Sequence, residues 1–231
     1  MTTALLVPGS ASTGDFVARA FAPLLTDVTD LITVADRTGR AAAISGALER
    51  AAADVRSRGE QLAAVIGVSI GAHAAALWAS GHPKPTDPGL LVLAMPAWTG
   101  PPGPTAAFTM AAVERIASRG IAAELADLQR DFGGDWVVTE LVAAWSSADE
   151  SDLLASLSGT ATSPAPTLAE LAAIRAPTVV LALADDPMHP VEVARTWSTA
   201  IPGAALAQVG RFEPARDVGV FGRRTLAAPK R

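Results

Sequence analysis

Short apolar runs that alternate with longer alanine-rich stretches constrain this chain more than any other feature. The runs Leu5–Val7, Leu31–Val34, Leu62–Val68, Leu90–Ala94, Thr178–Leu183 and Ala205–Val209 have strand length. Between them lie stretches with helical spacing: about Thr13 to Leu25, Arg40 to Ser57 (stopped at Gly59), Ile70 to Ser80, Val191 to Thr199 and Val218 to Leu226. Strand and helix in strict alternation predict an α/β fold, a mostly parallel sheet flanked by helices. The stretch 97–176 breaks the rhythm. It opens on the turn-rich Thr99-Gly100-Pro101-Pro102-Gly103-Pro104, reads as several short helices and leaves through Ser163-Pro164-Ala165-Pro166. The expected organisation is therefore a core of residues 1–96 and 177–231, with 97–176 as a helical insertion between two strands.

Composition narrows the chemistry. At 231 residues the chain has room for one domain with an insertion. Half of it is apolar, but 50 residues are alanine, so the core is built from small side chains. With no cysteine, disulfides, iron–sulfur clusters and thiol nucleophiles are excluded. The three histidines, His73, His82 and His189, show no metal-ligand spacing, and neither a metal nor a cofactor is expected. A net charge of −5 without a Lys/Arg cluster argues against nucleic acid. The start has no basic segment before its short apolar run, and no uninterrupted apolar run has membrane-spanning length. A cytoplasmic monomer or homodimer acting on a small molecule is the expectation.

Gly67-Val68-Ser69-Ile70-Gly71 is the G-x-S-x-G pattern, and it sits after a predicted strand and opens a predicted helix. A serine on so tight a turn needs small residues two positions to either side. The turn lifts its hydroxyl above the sheet edge, and the helix start aims free N–H groups at it. In this context the chain resembles the α/β-hydrolase family over almost its whole length. The resemblance implies a serine nucleophile at Ser69 and an oxyanion hole made by the Ser10 and Ile70 amides, Ser10 lying in the loop Pro8-Gly9-Ser10-Ala11-Ser12. It also implies an acid after the penultimate strand. Within Asp185-Asp186-Pro187-Met188-His189-Pro190, Asp186 has the family's three-residue spacing to a proline. The helical insertion falls where the family carries a cap that selects substrate. Trp98, Trp136 and Trp145, with Phe108 and Phe132, either pack plainly there or line an apolar substrate pocket.

One element of the family pattern is missing. Its histidine belongs to the loop after the last strand, here Gly210-Arg211-Phe212-Glu213-Pro214-Ala215-Arg216-Asp217, which has none. Arg211 and Glu213 in that loop either face the pocket or are solvated charges. A serine hydroxyl needs a base to attack. His82 follows the helix opened by Ser69 and so lies ~15 Å away, toward the wrong edge of the sheet. His73 is one turn along the same helix and reads as a hydrogen-bonded interior residue. His189 shares the sheet edge of Ser69 and is the base the sequence offers. Three readings stay open at this level. The first is a hydrolase of esterase or thioesterase type on a small, mostly apolar acyl compound. The second is a degenerate fold that binds without turnover, and the third a lyase or isomerase in the same pocket.

Overall fold

The computed structural model describes residues 1–10, 12–82 and 88–229. Among the described residues six strands form one parallel sheet: β1 (Thr2–Val7), β2 (Asp30–Thr33), β3 (Gln61–Val68), β4 (Leu90–Ala94), β5 (Thr178–Leu183) and β6 (Ala205–Val209). Their order is β2-β1-β3-β4-β5-β6. The chain moves outward from β1 to β2, then returns across β1 to β3 and continues the other way. Neighbouring connections therefore part at the carboxyl ends of β1 and β3, which opens a crevice at that edge.

Both faces of the sheet are covered, and alternation along each strand divides the core in two. Leu5, Val7, Val65, Leu91, Leu93, Val180 and Ala182 point toward α2 (Ala41–Ser57), α3 (Ile70–Ser80), α8 (Leu168–Ala173) and α9 (Val191–Ala200). Ala4, Leu6, Ile66, Val68, Val92, Leu181 and Val209 point toward α1 (Gly14–Phe21) and α10 (Val220–Leu226). A bulge between Thr3 and Ala4 lets Thr3 pair with Leu62 while Ala4 pairs with Ala64. That extra residue keeps Leu62 and Val65 on one face despite their odd separation.

The insertion holds α4 (Ala106–Arg119), α5 (Ile121–Phe132), α6 (Trp136–Trp145) and α7 (Glu150–Thr162), with α8 leading back to the sheet. Ile116, Leu125, Trp145, Leu153 and Leu157 form a separate small core among these helices. Ser163 ties the end of the insertion to α2 and to the insertion's own start: its hydroxyl accepts from Ala41 N–H, and its carbonyl accepts from Trp98 Nε1.

Several element boundaries differ from the sequence reading, among them these three. The first helix stops at Phe21 and tightens into a 3₁₀ turn over Ala22–Leu24, because Pro23 has no N–H to give and its ring crowds the preceding turn. β1 starts at Thr2 rather than Leu5, since Thr2 and Thr3 pair with β3 without being apolar. The last helix starts at Val220 rather than Val218. No helix among the described residues is long and apolar enough to cross a membrane.

Candidate active site

Ser69 joins β3 to α3 with φ 55° and ψ −121°, a left-handed backbone that costs a non-glycine residue about 1–3 kcal/mol. Hydrogen bonds over-determine it. Ser69 N–H donates to Ala94 O at 2.9 Å, and Ser69 O accepts from Ala72 and His73 N–H at 2.8 and 3.2 Å. The flanking glycines are required by close approach. A Cβ on Gly67 would stand 2.4 Å from Gly71 O, and one on Gly71 would stand 2.0 Å from Val7 O. Helix α3 can therefore start directly against the end of β1 only if both positions are bare.

The loop after β1 lies against this turn, since a Cβ on Gly9 would be 3.2 Å from Ser69 Cβ. Ile70 is the first residue of α3, where an amide has no intrahelical acceptor. Among the described residues neither the Ser10 nor the Ile70 N–H donates to a protein acceptor. Ala11, in the middle of that loop, lies outside the described residues.

Asp186 and His189 come from the loop between β5 and α9. Asp185 adopts φ 55°, a backbone that aspartate tolerates better than most residues, and turns the chain back toward the sheet edge. Asp186 Oδ1 accepts from Met188 N–H at 3.0 Å, closing a tight turn that brings His189 over its own carboxylate. His189 Nδ1 lies 2.7 Å from Asp186 Oδ2, and His189 Nε2 lies 2.9 Å from Ser69 Oγ. The side chains are 18% and 7% exposed for His189 and Asp186, whereas Asp185 faces solvent. Burial alone would raise the Asp186 carboxyl. The His189 hydrogen bond and charge, the Met188 amide and the Arg211 guanidinium outweigh it and hold the carboxyl below its usual range. An ionised Asp186 accepts only, so the His189 proton sits on Nδ1 and Nε2 is left to accept from the Ser69 hydroxyl.

The other histidines are engaged elsewhere. His73 is fully buried, and its Nε2 accepts from Ala97 N–H at 3.0 Å between the rings of Trp98 and Trp197. Burial, helped by the charge of His189, pushes its pKa down to about 3. His82, beyond the far end of α3, contacts Trp78 O and Glu49.

Ser69, Asp186 and His189 open into a cavity of about 510 Å³ between the sheet edge and α4–α7. Trp98, Trp136 and Trp145 all line it, as do Phe108, Phe132, Ser10 and Gly9. Its walls are mainly apolar, which suits an apolar ligand with few polar groups. The loop after β6 contributes Arg211, and here the solvated alternative fails. Arg211 is 15% exposed and lines the cavity. It binds Asp135 at the start of α6 and lies 3.8 Å from Asp186 Oδ1, while its carbonyl accepts from Trp136 Nε1 at 2.8 Å. Glu213 does remain at the surface, capping Gly210 N–H and pairing with Arg224. The sequence marks Arg211 only by its place in the loop after β6, because its partners Asp135 and Asp186 are remote along the chain.

No family model matches the sequence, and no curated protein matches it. Solved structures do match in shape. A thermophilic esterase from Thermogutta terrifontis is similar with a TM-score of 0.69 and 18% identity, over 98% of this chain and 88% of that one. An enol-lactonase from Burkholderia xenovorans is similar with a TM-score of 0.73 and 12% identity, over 98% and 90%. A hydrolase from Pseudomonas aeruginosa is similar with a TM-score of 0.68 and 19% identity, over 98% and 89%. At such identities the likeness is one of architecture, and on it the chain has the α/β-hydrolase fold.

Proposed function

We propose that the chain is a serine hydrolase of esterase or thioesterase type that cleaves a small, mostly apolar acyl compound. The observation that carries this reading is the unbroken hydrogen-bond chain from Asp186 through His189 to Ser69 Oγ. Ser69 Oγ attacks the acyl carbon as its proton passes to His189 Nε2. Asp186 stabilises the imidazolium through Nδ1–H and fixes its tautomer. The carbonyl electrons move onto oxygen, where the Ser10 and Ile70 amides receive the charge. Collapse of that intermediate breaks the bond to the leaving alcohol or thiol, which takes the proton from His189. Water then repeats the sequence against the acyl-serine and frees the acid. The helical stretch 97–176 serves as the cap, with Trp98, Trp136 and Trp145 in the substrate-binding wall. Esterase and lactonase activity among proteins of similar shape adds support.

A fluorophosphonate tests the reading. The expected result is one covalent adduct, mapped to Ser69 by peptide mass spectrometry and absent from Ser69→Ala. A chain that stays unlabelled under conditions that label an ordinary serine esterase would refute it and favour binding without turnover.

A further inference from the structure

In the loop after β6, where the family pattern places its histidine, this chain has Arg211. Strand β6 pairs with β5, so that loop lies beside the one that carries Asp186 and His189. Two consecutive residues at the start of α6 hold Arg211 at both ends. Its guanidinium binds Asp135, and its carbonyl accepts from Trp136 Nε1 at 2.8 Å. Trp136 is itself fixed, stacked on Phe16 of α1 and edge-on to Phe221 of α10. The other terminal guanidinium nitrogen, Nη1, stands 3.8 Å from Asp186 Oδ1. That is too long for a hydrogen bond, so Arg211 acts on Asp186 through its charge.

Asp186 divides its oxygens between two tasks. Oδ2 faces His189 Nδ1 at 2.7 Å, while Oδ1 meets the Met188 N–H at 3.0 Å and the Arg211 charge. Both side chains are largely withdrawn from solvent, which therefore screens the contact weakly. Beside a neutral His189, the two carboxylates of Asp135 and Asp186 and the one guanidinium leave a single net negative charge, which the imidazolium cancels. Without Arg211, two uncancelled carboxylate charges would draw a proton onto His189 more strongly. Among the described residues the other charged groups around this site are paired or turned away. Glu140 pairs with Arg19, Glu124 with Arg115, Glu213 with Arg224 and Glu192 with Arg195. Asp185 and Arg216 face solvent, and His73 stays neutral down to about pH 3.

We propose that Arg211 is a positioning residue: shared between Asp135 of the inserted helices and Asp186, its guanidinium limits the negative charge that His189 feels and so sets the pH at which Ser69 gains its base. The role of His189 as that base rests on the hydrolase reading above. Because Asp135 competes with Asp186 for one cation, the docking of α6 is linked to the proton affinity of a residue in the loop between β5 and α9.

The test follows the ring-proton signals of His189 against pH by NMR in the wild-type, Arg211→Gln, Arg211→Lys and Asp135→Asn chains. The signals are assigned by their absence from His189→Gln. Arg211→Gln is expected to raise the titration midpoint by about 0.5–1 pH unit, and Arg211→Lys, which keeps the charge, to leave it within about 0.2 unit. Asp135→Asn keeps a side chain that can cap α6 and removes the competing carboxylate, so it is expected to lower the midpoint by a similar amount. A residue that merely propped up the loop would not produce shifts of opposite sign. The acid limb of kcat/KM for p-nitrophenyl butyrate is expected to follow the midpoint in each chain. Midpoints within about 0.2 unit of the wild-type value in Arg211→Gln and Asp135→Asn, or moved in the same direction in both, overturn the proposal even where turnover is intact. If Arg211→Gln does not fold, Asp135→Asn decides, and an unmoved or raised midpoint overturns the proposal. Opposite shifts in chains that turn over no ester support the charge linkage and count against the hydrolase reading instead.

Discussion

Replacing His73 by glutamine removes a titrating group from the core and keeps an acceptor for the Ala97 amide. The native imidazole is fully buried, lies between two tryptophan rings and stays neutral down to about pH 3. In the unfolded chain it returns to an ordinary value near 6.5. Between those limits the unfolded state binds a proton that the native state refuses, so acid draws the chain toward unfolding. Stability carried by neutral His73 is thus fully present above pH 6.5 and is lost as the pH falls toward 3. The slope for one proton is about 1.4 kcal/mol per pH unit. From pH 6.5 to 4.5 the wild-type chain is expected to lose roughly 2–3 kcal/mol more than His73→Gln. Urea unfolding followed by tryptophan fluorescence at several pH values measures this directly, and titrations common to both chains cancel in the difference. The variant starts out less stable near neutrality because it loses ring packing, and the gap narrows with acid. Stability curves that run parallel from pH 7.5 to 4.5 would refute the reasoning.

Two further outcomes follow from the site. Asp186→Asn is expected to leave the fold intact and lower kcat on the order of 10³–10⁴-fold, because it removes the carboxylate that fixes the His189 tautomer; activity with a p-nitrophenyl ester and a circular dichroism spectrum check both halves. Gly71→Ala forces a Cβ to within 2.0 Å of Val7 O and 2.7 Å of Pro8 O, both backbone atoms, and is expected to cost about 3 kcal/mol in unfolding free energy, whereas Gly59→Ala, where a Cβ meets nothing, pays only for its positive φ.

The parallel sheet was legible because Leu62–Val68 and Thr178–Leu183 are apolar over strand length and are followed by helices, a pattern that few folds share. The turn at Ser69 was legible for the same local reason: two glycines at fixed offsets answer to two backbone contacts. What closes the site was harder to read. The short Asp186-to-His189 spacing looks cramped along a sequence, and only the positive φ of Asp185 with the Met188 amide bond shows how the ring folds back. For Arg211 the sequence leaves pocket and solvent both open, since its role depends on Asp135 and Asp186 arriving from other elements. Local patterns fix local turns, and polar satisfaction is decided by what packs last.

The central claim is that the histidine acting on Ser69 comes from the loop between β5 and α9, not from the loop after β6. His189→Ala tests it most directly when turnover of a p-nitrophenyl ester and fluorophosphonate labelling of Ser69 are followed on the same preparation. Both rates are expected to fall together, on the order of 10²–10⁴-fold, with thermal stability nearly unchanged. Turnover and labelling within a few-fold of the wild-type chain would contradict it.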